Sequence, residues 1–92
     1  MKLKETYQLE RIAGQSVLLP SGRQVIDGGM VYRLNATGAW VMETLREERT
    51  EAELLRRAAE HYEPATEAER ERLNADIRAF CDALRRLGLL EE

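Results

Sequence analysis

The chain has 92 residues, of which 43% are hydrophobic and 34% charged, and its formal net charge is −3. This length suits one domain over residues 1–92 with one modest core, and the composition excludes a disordered chain. The sequence contains no run of about 18 apolar residues, so we expect no membrane span. The start, MKLKETYQLE, lacks the apolar stretch of a signal peptide, and a single cysteine permits no internal disulfide. Both features predict a cytoplasmic protein.

The charges are unevenly distributed between the two parts of the chain. Residues 1–34 carry five Lys/Arg against three Asp/Glu, whereas residues 35–92 carry nine against fourteen. Broad nucleic-acid binding depends on neutralising phosphates, so an acidic second part argues against it. The mildly basic first part would tolerate an acidic peptide.

Short apolar runs separated by turn residues predict strands within about residues 6–34. TYQLERIA and SVLLP are joined by a predicted turn at Gly14-Gln15, GRQVI forms a weaker candidate, and MVYRL forms a third well-supported strand. PSG and DGG supply further turns between them. We therefore predict a small three-stranded antiparallel sheet, which is marginal by itself and needs a covering layer.

Helical spacing takes over after Leu34 and predicts three helices, at about residues 35–46, 50–62 and 67–87. Asn35 is a favourable N-cap for the first helix. TEAE at 50–53 and again at 66–69 are capping-box patterns that begin the second and third helices. Gly88 is suited to end the third helix, whose apolar stripe predicts mainly core residues: Leu73, Ile77, Phe80, Leu84 and Leu87. The fold class is therefore α+β.

The sequence offers no recognisable catalytic or cofactor site. His61 and Cys81 lie twenty residues apart and match no zinc spacing. Cys81 flanks the apolar stripe and has no recognisable base, so we interpret it as a packing residue. Gly28-Gly29 lacks the context of a phosphate-binding loop. We expect no enzyme activity, no cofactor and no metal.

Five segments in order resemble the PqqD family, small proteins named for pyrroloquinoline quinone biosynthesis and also called RiPP recognition elements. The segments are RIAG at 11–14 with VLLPSG at 17–22, LNATG at 34–38, RTEAEL at 49–54, a tyrosine at Tyr62, and DIRAFCDALRRLGLL at 76–90. The chain departs from the family pattern in its first helix. Ala36 stands where glutamate is frequent, and Trp40 lies half a turn before the position, Met42, at which the family often has tryptophan.

The resemblance implies a winged-helix-like module of three strands and three helices that binds the leader segment of a ribosomally made precursor peptide. It implies that the leader adds as a strand beside MVYRL, lies in a groove next to the third helix, and is presented to a modifying enzyme such as a radical SAM enzyme or a leader peptidase. On this basis the expected peptide-binding residues are Met30, Val31, Tyr32, Arg33, Leu34, Ile77, Arg78, Cys81, Leu84 and Arg85.

Two other functions share the predicted elements. A winged-helix DNA-binding regulator is disfavoured because neither the second nor the third helix is clearly basic. A protein–protein adaptor without peptide binding stays open, as does the choice between a monomer and a homodimer. We expect no nucleic-acid or membrane partner.

Overall fold

The computed structural model describes residues 1–21 and 30–92. Within these residues a three-stranded antiparallel sheet, in the order β2-β3-β4, precedes three helices, which confirms the predicted α+β fold. No helix in the described part of the chain is long and apolar enough to cross a membrane. The elements in chain order are β1 Lys2–Leu3, β2 Tyr7–Ile12, β3 Gln15–Pro20, β4 Tyr32–Leu34, α1 Ala36–Thr44, α2 Glu51–Tyr62, α3 Glu67–Arg86 and β5 Leu90–Glu91.

The strands differ from the prediction in two respects. The turn between β2 and β3 consists of Ala13 and Gly14, not Gly14 and Gln15, and both of its residues have positive φ. Positive φ at both central residues defines the tight turn that matches the twist of two strands. The strand predicted at MVYRL is β4, and it begins at Tyr32, so Met30 and Val31 precede it. The weaker strand predicted at 22–26 lies outside the described residues.

A second sheet joins the two ends of the chain, which the sequence patterns did not predict. β1 pairs with β5 in antiparallel register, with Leu3 opposite Leu90. Each strand has only two residues, so no alternation of apolar and polar residues marks it. The amide of Leu3 also donates to the carbonyl of Leu45, at 2.7 Å, which attaches this sheet to the end of α1.

Side-chain caps begin each helix, and their geometry refines the predicted capping boxes. The Oγ1 atoms of Thr50 and Thr66 each accept the N3 amide at 3.1 Å, as expected. The glutamates at N3 do not reach back to the N-cap amide. Glu53 instead meets the Thr50 hydroxyl at 3.2 Å, and Glu69 accepts the amide of Ala65 at 2.8 Å. The Glu69 carboxylate therefore satisfies the amide of Ala65, whereas the capping-box pattern predicts the amide of the next residue, Thr66.

The end of α3 directs the C-terminal residues back into the protein. Gly88 has φ +72°, and its amide donates to the carbonyl of Arg85, while the amide of Leu89 donates to that of Leu84. This pair of bonds is the Schellman motif, which favours glycine at the position of Gly88. Leu89 and Leu90 consequently reach the core, where they are 1% and 7% exposed.

One apolar core lies between the sheet and the helices. Its most enclosed side chains come from β3, from all three helices and from the segment after α3: Leu18, Val41, Met42, Leu45, Leu54, Ile77, Cys81 and Leu89. The helices therefore supply the covering layer that the small sheet needs.

Candidate peptide-binding groove

The β2–β3 turn determines which backbone groups of β3 point toward β4. Ile12 and Gln15 flank a two-residue turn, so they form a hydrogen-bonded pair and direct their polar groups at each other. At the far end of this pairing the amide of Ser21 donates to the carbonyl of Thr6 at 2.8 Å, which fits the same alternation. The polar groups of Ser16 and Leu18 therefore face β4.

The alternation continues into β4 and leaves Arg33 with its polar groups on the outer edge. Leu18 pairs with Tyr32 and Ser16 with Leu34, whereas Arg33 lies opposite Val17. Tyr32 and Leu34 therefore bond to β3, and the N–H and C=O of Arg33 point away from it. The Nε2 of Gln15 donates to the carbonyl of Leu34 at 3.0 Å, which agrees with this direction.

The extended backbone continues for one more residue, to Asn35 (φ −76°, ψ 176°). By the same alternation the amide of Asn35 points outward together with that of Arg33. Within the described residues no strand pairs with this edge of β4. An unpaired edge of this kind is a template on which an extended peptide can add as another strand.

Pro20 explains why β4 is so short. By the alternation along β3, position 20 directs its nitrogen toward β4, and proline has no N–H to donate. The ladder between the two strands therefore ends at the pair of Leu18 and Tyr32. Met30 and Val31, at 64% and 58% exposed, are outside it.

The other edge of the sheet, along β2, is less open. The carbonyl of Leu9 points outward there and accepts a hydrogen bond of 3.4 Å from the Nη2 of Arg46. A cavity of about 400 Å³ lies at this edge and is bordered by Lys2, Lys4 and Glu10 as well. Arginine and lysine side chains along an edge hinder the addition of another strand. We therefore place the candidate site at β4.

The strand residues that the sequence assigned to the site differ in their access to a ligand. Arg33, Met30 and Val31 are exposed, whereas Tyr32 is half-buried with its ring 6.4 Å from that of Tyr7. Leu34 is 7% exposed and belongs to the core. On β4, a bound strand would thus contact the backbone of Arg33 and the margin of Tyr32.

The α3 residues assigned to the site are mostly not on its surface. Ile77, Cys81 and Leu84 are 0–3% exposed and pack in the core. Arg78 forms an ion pair of 3.3 Å with Glu51 of α2. These four residues face the core and α2.

The fifth residue, Arg85, lies at the end of α3 among acidic groups. Its guanidinium meets Glu92 at 2.9 Å and Asp82 at 3.1 Å. The hydrogen bond that Arg85 donates to the Glu92 carboxylate raises the pKa of Arg85 above its ordinary value, and the same carboxylate neutralises the positive charge. Neither this arginine nor Arg78 offers an unpaired charge to an acidic leader.

A cavity of about 380 Å³ adjoins the end of β4 and identifies residues that the sequence did not assign to the site. It lies between the start of α1 and the middle of α3, and it is lined by Asn35, Thr37, Gly38, Asp76, Ala79 and Phe80. Phe80 belongs to the predicted core stripe but is only half-buried, and Leu87 from the same stripe is 51% exposed. Within this stripe, Ile77 and Leu84 therefore face the core, whereas Phe80 faces the cavity.

The motif LNATG accounts for the close packing at this cavity. Leu34 enters the core, and the Oδ1 of Asn35 accepts the amide of Gly38 at 2.7 Å to cap α1. A Cβ on Gly38 would lie 3.1 Å from the Phe80 ring and 3.1 Å from the Asn35 cap. Glycine thus permits α3 to approach α1 closely.

The Cys81 thiol and the His61 imidazole do not line this cavity. Burial raises the pKa of the Cys81 thiol above its ordinary value, which lowers its reactivity. His61 stacks on Trp40 with the ring centres 5.1 Å apart, and Tyr62 packs edge-on against both. Among the described residues no cluster of His, Cys, Asp and Glu could hold a metal ion.

Comparisons with known proteins identify a family and a similar solved structure. The family model described as coenzyme PQQ synthesis protein D (PqqD) matches residues 15–90. A solved structure described as "TbiB1 in Complex with the TbiA(beta) Leader Peptide" is similar to the chain with a TM-score of 0.70 and 26% sequence identity, over 99% of this chain and 95% of that one. No curated protein sequence matches the chain.

Proposed function

The chain belongs to the PqqD family, and we propose that it binds the leader segment of a ribosomally synthesised precursor peptide, which adds as a strand to the outer edge of β4. The observation that carries this proposal is the outward direction of the Arg33 backbone groups on an edge that no other described strand covers. The similar chain TbiB1 is in complex with a leader peptide, which supports the same kind of ligand here.

Backbone pairing at this edge supplies only part of the binding free energy. The edge from Arg33 to Asn35 offers two amides and one carbonyl, because the carbonyl of Asn35 already accepts the amide of Ala39. Three hydrogen bonds at about 0.5–1.5 kcal/mol each contribute at most about 4.5 kcal/mol. A micromolar complex requires about 8 kcal/mol, so side-chain contacts must provide the remainder. The cavity beside Phe80 is the nearest site for them.

The cavity also gives a reason why no linker separates β4 from α1. Because Asn35 both ends the edge and caps α1, no linker separates the helix from β4. A groove whose wall is already in place loses less conformational entropy when a peptide binds. We propose that the domain acts in the cytoplasm without catalysis of its own and presents the bound leader to a modifying enzyme.

The proposal is tested by calorimetric titration with a leader. The ligand is the leader segment of a short precursor peptide encoded near this gene, and the controls are its core segment and a scrambled leader of equal composition. We expect micromolar or tighter binding of the leader, and binding weaker by tenfold or more for both controls. Equal affinity for the leader and its scrambled form, or no heat of binding, would reject leader recognition.

A further inference from the structure

The cavity at the end of β4 combines an apolar surface with one charged group. Of its six lining residues only Asp76 is charged, and its side chain is exposed at the rim. Gly38, Ala79 and the half-buried ring of Phe80 form the apolar part, while the Oδ1 of Asn35 is occupied by the Gly38 amide. The cavity therefore suits an apolar side chain with a cationic group beside it.

None of the five arginines of α3 forms an ion pair with Asp76. Arg78 pairs with Glu51, and Arg85 pairs with Glu92 and Asp82, so both arginines are engaged elsewhere. The Asp76 carboxylate itself has no ion pair within residues 1–21 and 30–92. The Asp76 carboxylate is consequently the one charged side chain that lines the cavity, and it has no ion-pair partner among the described residues.

A positive charge, that of Arg33, lies on the other face of β4. Tyr32 and Leu34 direct their side chains toward the core, and the side chain of Arg33 between them points to the other face and is exposed. A strand added to β4 alternates in the same way. Its inward residues reach the cavity and Asp76, and its outward residues lie next to Arg33.

From this charge pattern we infer which leaders the groove selects, and the inference rests on the leader binding proposed above. The leader carries, on its inward side, an apolar residue for the Phe80 cavity and a neighbouring Lys or Arg that pairs with Asp76. On its outward side it carries Asp or Glu beside Arg33. Each pair is partly exposed, so each contributes about a two- to fivefold preference over a neutral residue.

Selection from a displayed library of random strand-length peptides tests this inference without knowledge of the natural leader. The wild-type domain and Asp76→Lys are used as separate baits, with Glu71→Lys as the matched control because it makes the same charge change on an exposed residue of α3 outside the cavity. We expect Lys or Arg beside an apolar residue in the wild-type and Glu71→Lys pools. In the Asp76→Lys pool we expect acidic residues at that position.

Binding of individual selected peptides provides the second part of the test. We expect a Lys→Glu change in a selected peptide to weaken binding to the wild type by about fivefold or more and to restore binding to Asp76→Lys. The α1 N-terminus borders the cavity, and its dipole favours a carboxylate there. If Asp76 only stabilised the fold, Asp76→Lys would therefore lower the melting temperature of the domain without changing which peptide residues are selected.

The possible outcomes separate this inference from the function on which it rests. Identical charge preferences in the wild-type and Asp76→Lys pools overturn the role of Asp76, even if the peptides bind the β4 edge. Selected peptides that bind Arg33→Pro as tightly as the wild type, or a library that enriches no peptide, overturn leader binding at this edge and the selectivity together.

Discussion

Two proline substitutions in adjacent residues of β4 should have opposite consequences. The amide of Tyr32 faces β3, so Tyr32→Pro removes a bond of the internal ladder and leaves the carbonyl of the fully buried Leu18 without its donor. The amide of Arg33 faces outward, so Arg33→Pro removes a donor that only an added strand would use.

The expected magnitudes follow from these partners. An unsatisfied buried carbonyl costs about 1–3 kcal/mol, and the lost contact between the rings of Tyr32 and Tyr7 adds about 0.5–1.5 kcal/mol. Together these costs are about 1.5–4.5 kcal/mol, and each kcal/mol shifts the melting temperature of a domain of this size by about 4–8 °C, so Tyr32→Pro should lower it by roughly 6–36 °C. Arg33→Pro should change the unfolding free energy by about 1 kcal/mol or less and weaken leader binding by about tenfold or more, equivalent to about 1.4 kcal/mol.

The assays are thermal melting by circular dichroism and calorimetric titration with the leader, each with an alanine control. Arg33→Ala keeps the amide and separates the loss of charge from the loss of the donor. Tyr32→Ala removes the ring and keeps the ladder bond. If Arg33→Pro melts near the wild type and binds the leader as tightly, strand addition at β4 is wrong.

Three further predictions concern the cavity, the buried thiol and DNA. Gly38→Ala should displace the Phe80 ring, lower stability by about 1–3 kcal/mol in thermal melts, and weaken leader binding; unchanged melting and binding would show that the close approach is unimportant. Cys81→Ala should cost about 1–2 kcal/mol of packing and keep leader binding. Because burial raises the pKa of Cys81, its protonated form stabilises the fold below the usual thiol pKa of about 8.5, and this contribution is lost as the pH rises through the higher folded value. The stability difference between wild type and Cys81→Ala should therefore shrink in urea titrations above that pH, and a constant difference would contradict the raised pKa. The acidic balance of residues 35–92 predicts no binding to duplex DNA at physiological salt, and salt-dependent micromolar binding in an anisotropy titration would contradict it.

Local signals in the sequence were sufficient for the helices and for most of the sheet. Hydroxyl caps at Thr50 and Thr66 and glycine after Leu87 act within a few residues of their own position, so their spacing can be read directly. The stretch from Leu34 to Gly38 likewise combines a core residue, a cap and a glycine in one short motif.

The geometry of the site depended on contacts between distant segments. The sequence could not show which amides of β4 face outward, because that follows from the register of β2 against β3. A stripe of apolar residues likewise does not show how a helix is rotated about its axis. Ile77 and Leu84 therefore looked equivalent to Phe80 in the sequence, although only Phe80 lines the cavity.

The pairing of the chain ends was missed for the same reason. Leu3 and Leu90 are far apart in the sequence, and neither belongs to an alternating run long enough to predict a strand. Arg78 and Arg85 were among the residues expected in the groove, but Glu51 and Glu92, from other segments of the chain, pair with them.

Hydrogen exchange of individual backbone amides, measured by NMR with and without saturating leader, tests the central claim most directly. In the free domain the amides of Tyr32 and Leu34 should already be protected by the ladder with β3, whereas those of Arg33 and Asn35 should exchange quickly. Strand addition predicts that the leader slows exchange at Arg33 by about tenfold or more, with little change at Tyr32. If the leader binds and the exchange of the Arg33 amide stays as fast as in the free domain, the peptide does not add to this edge of β4.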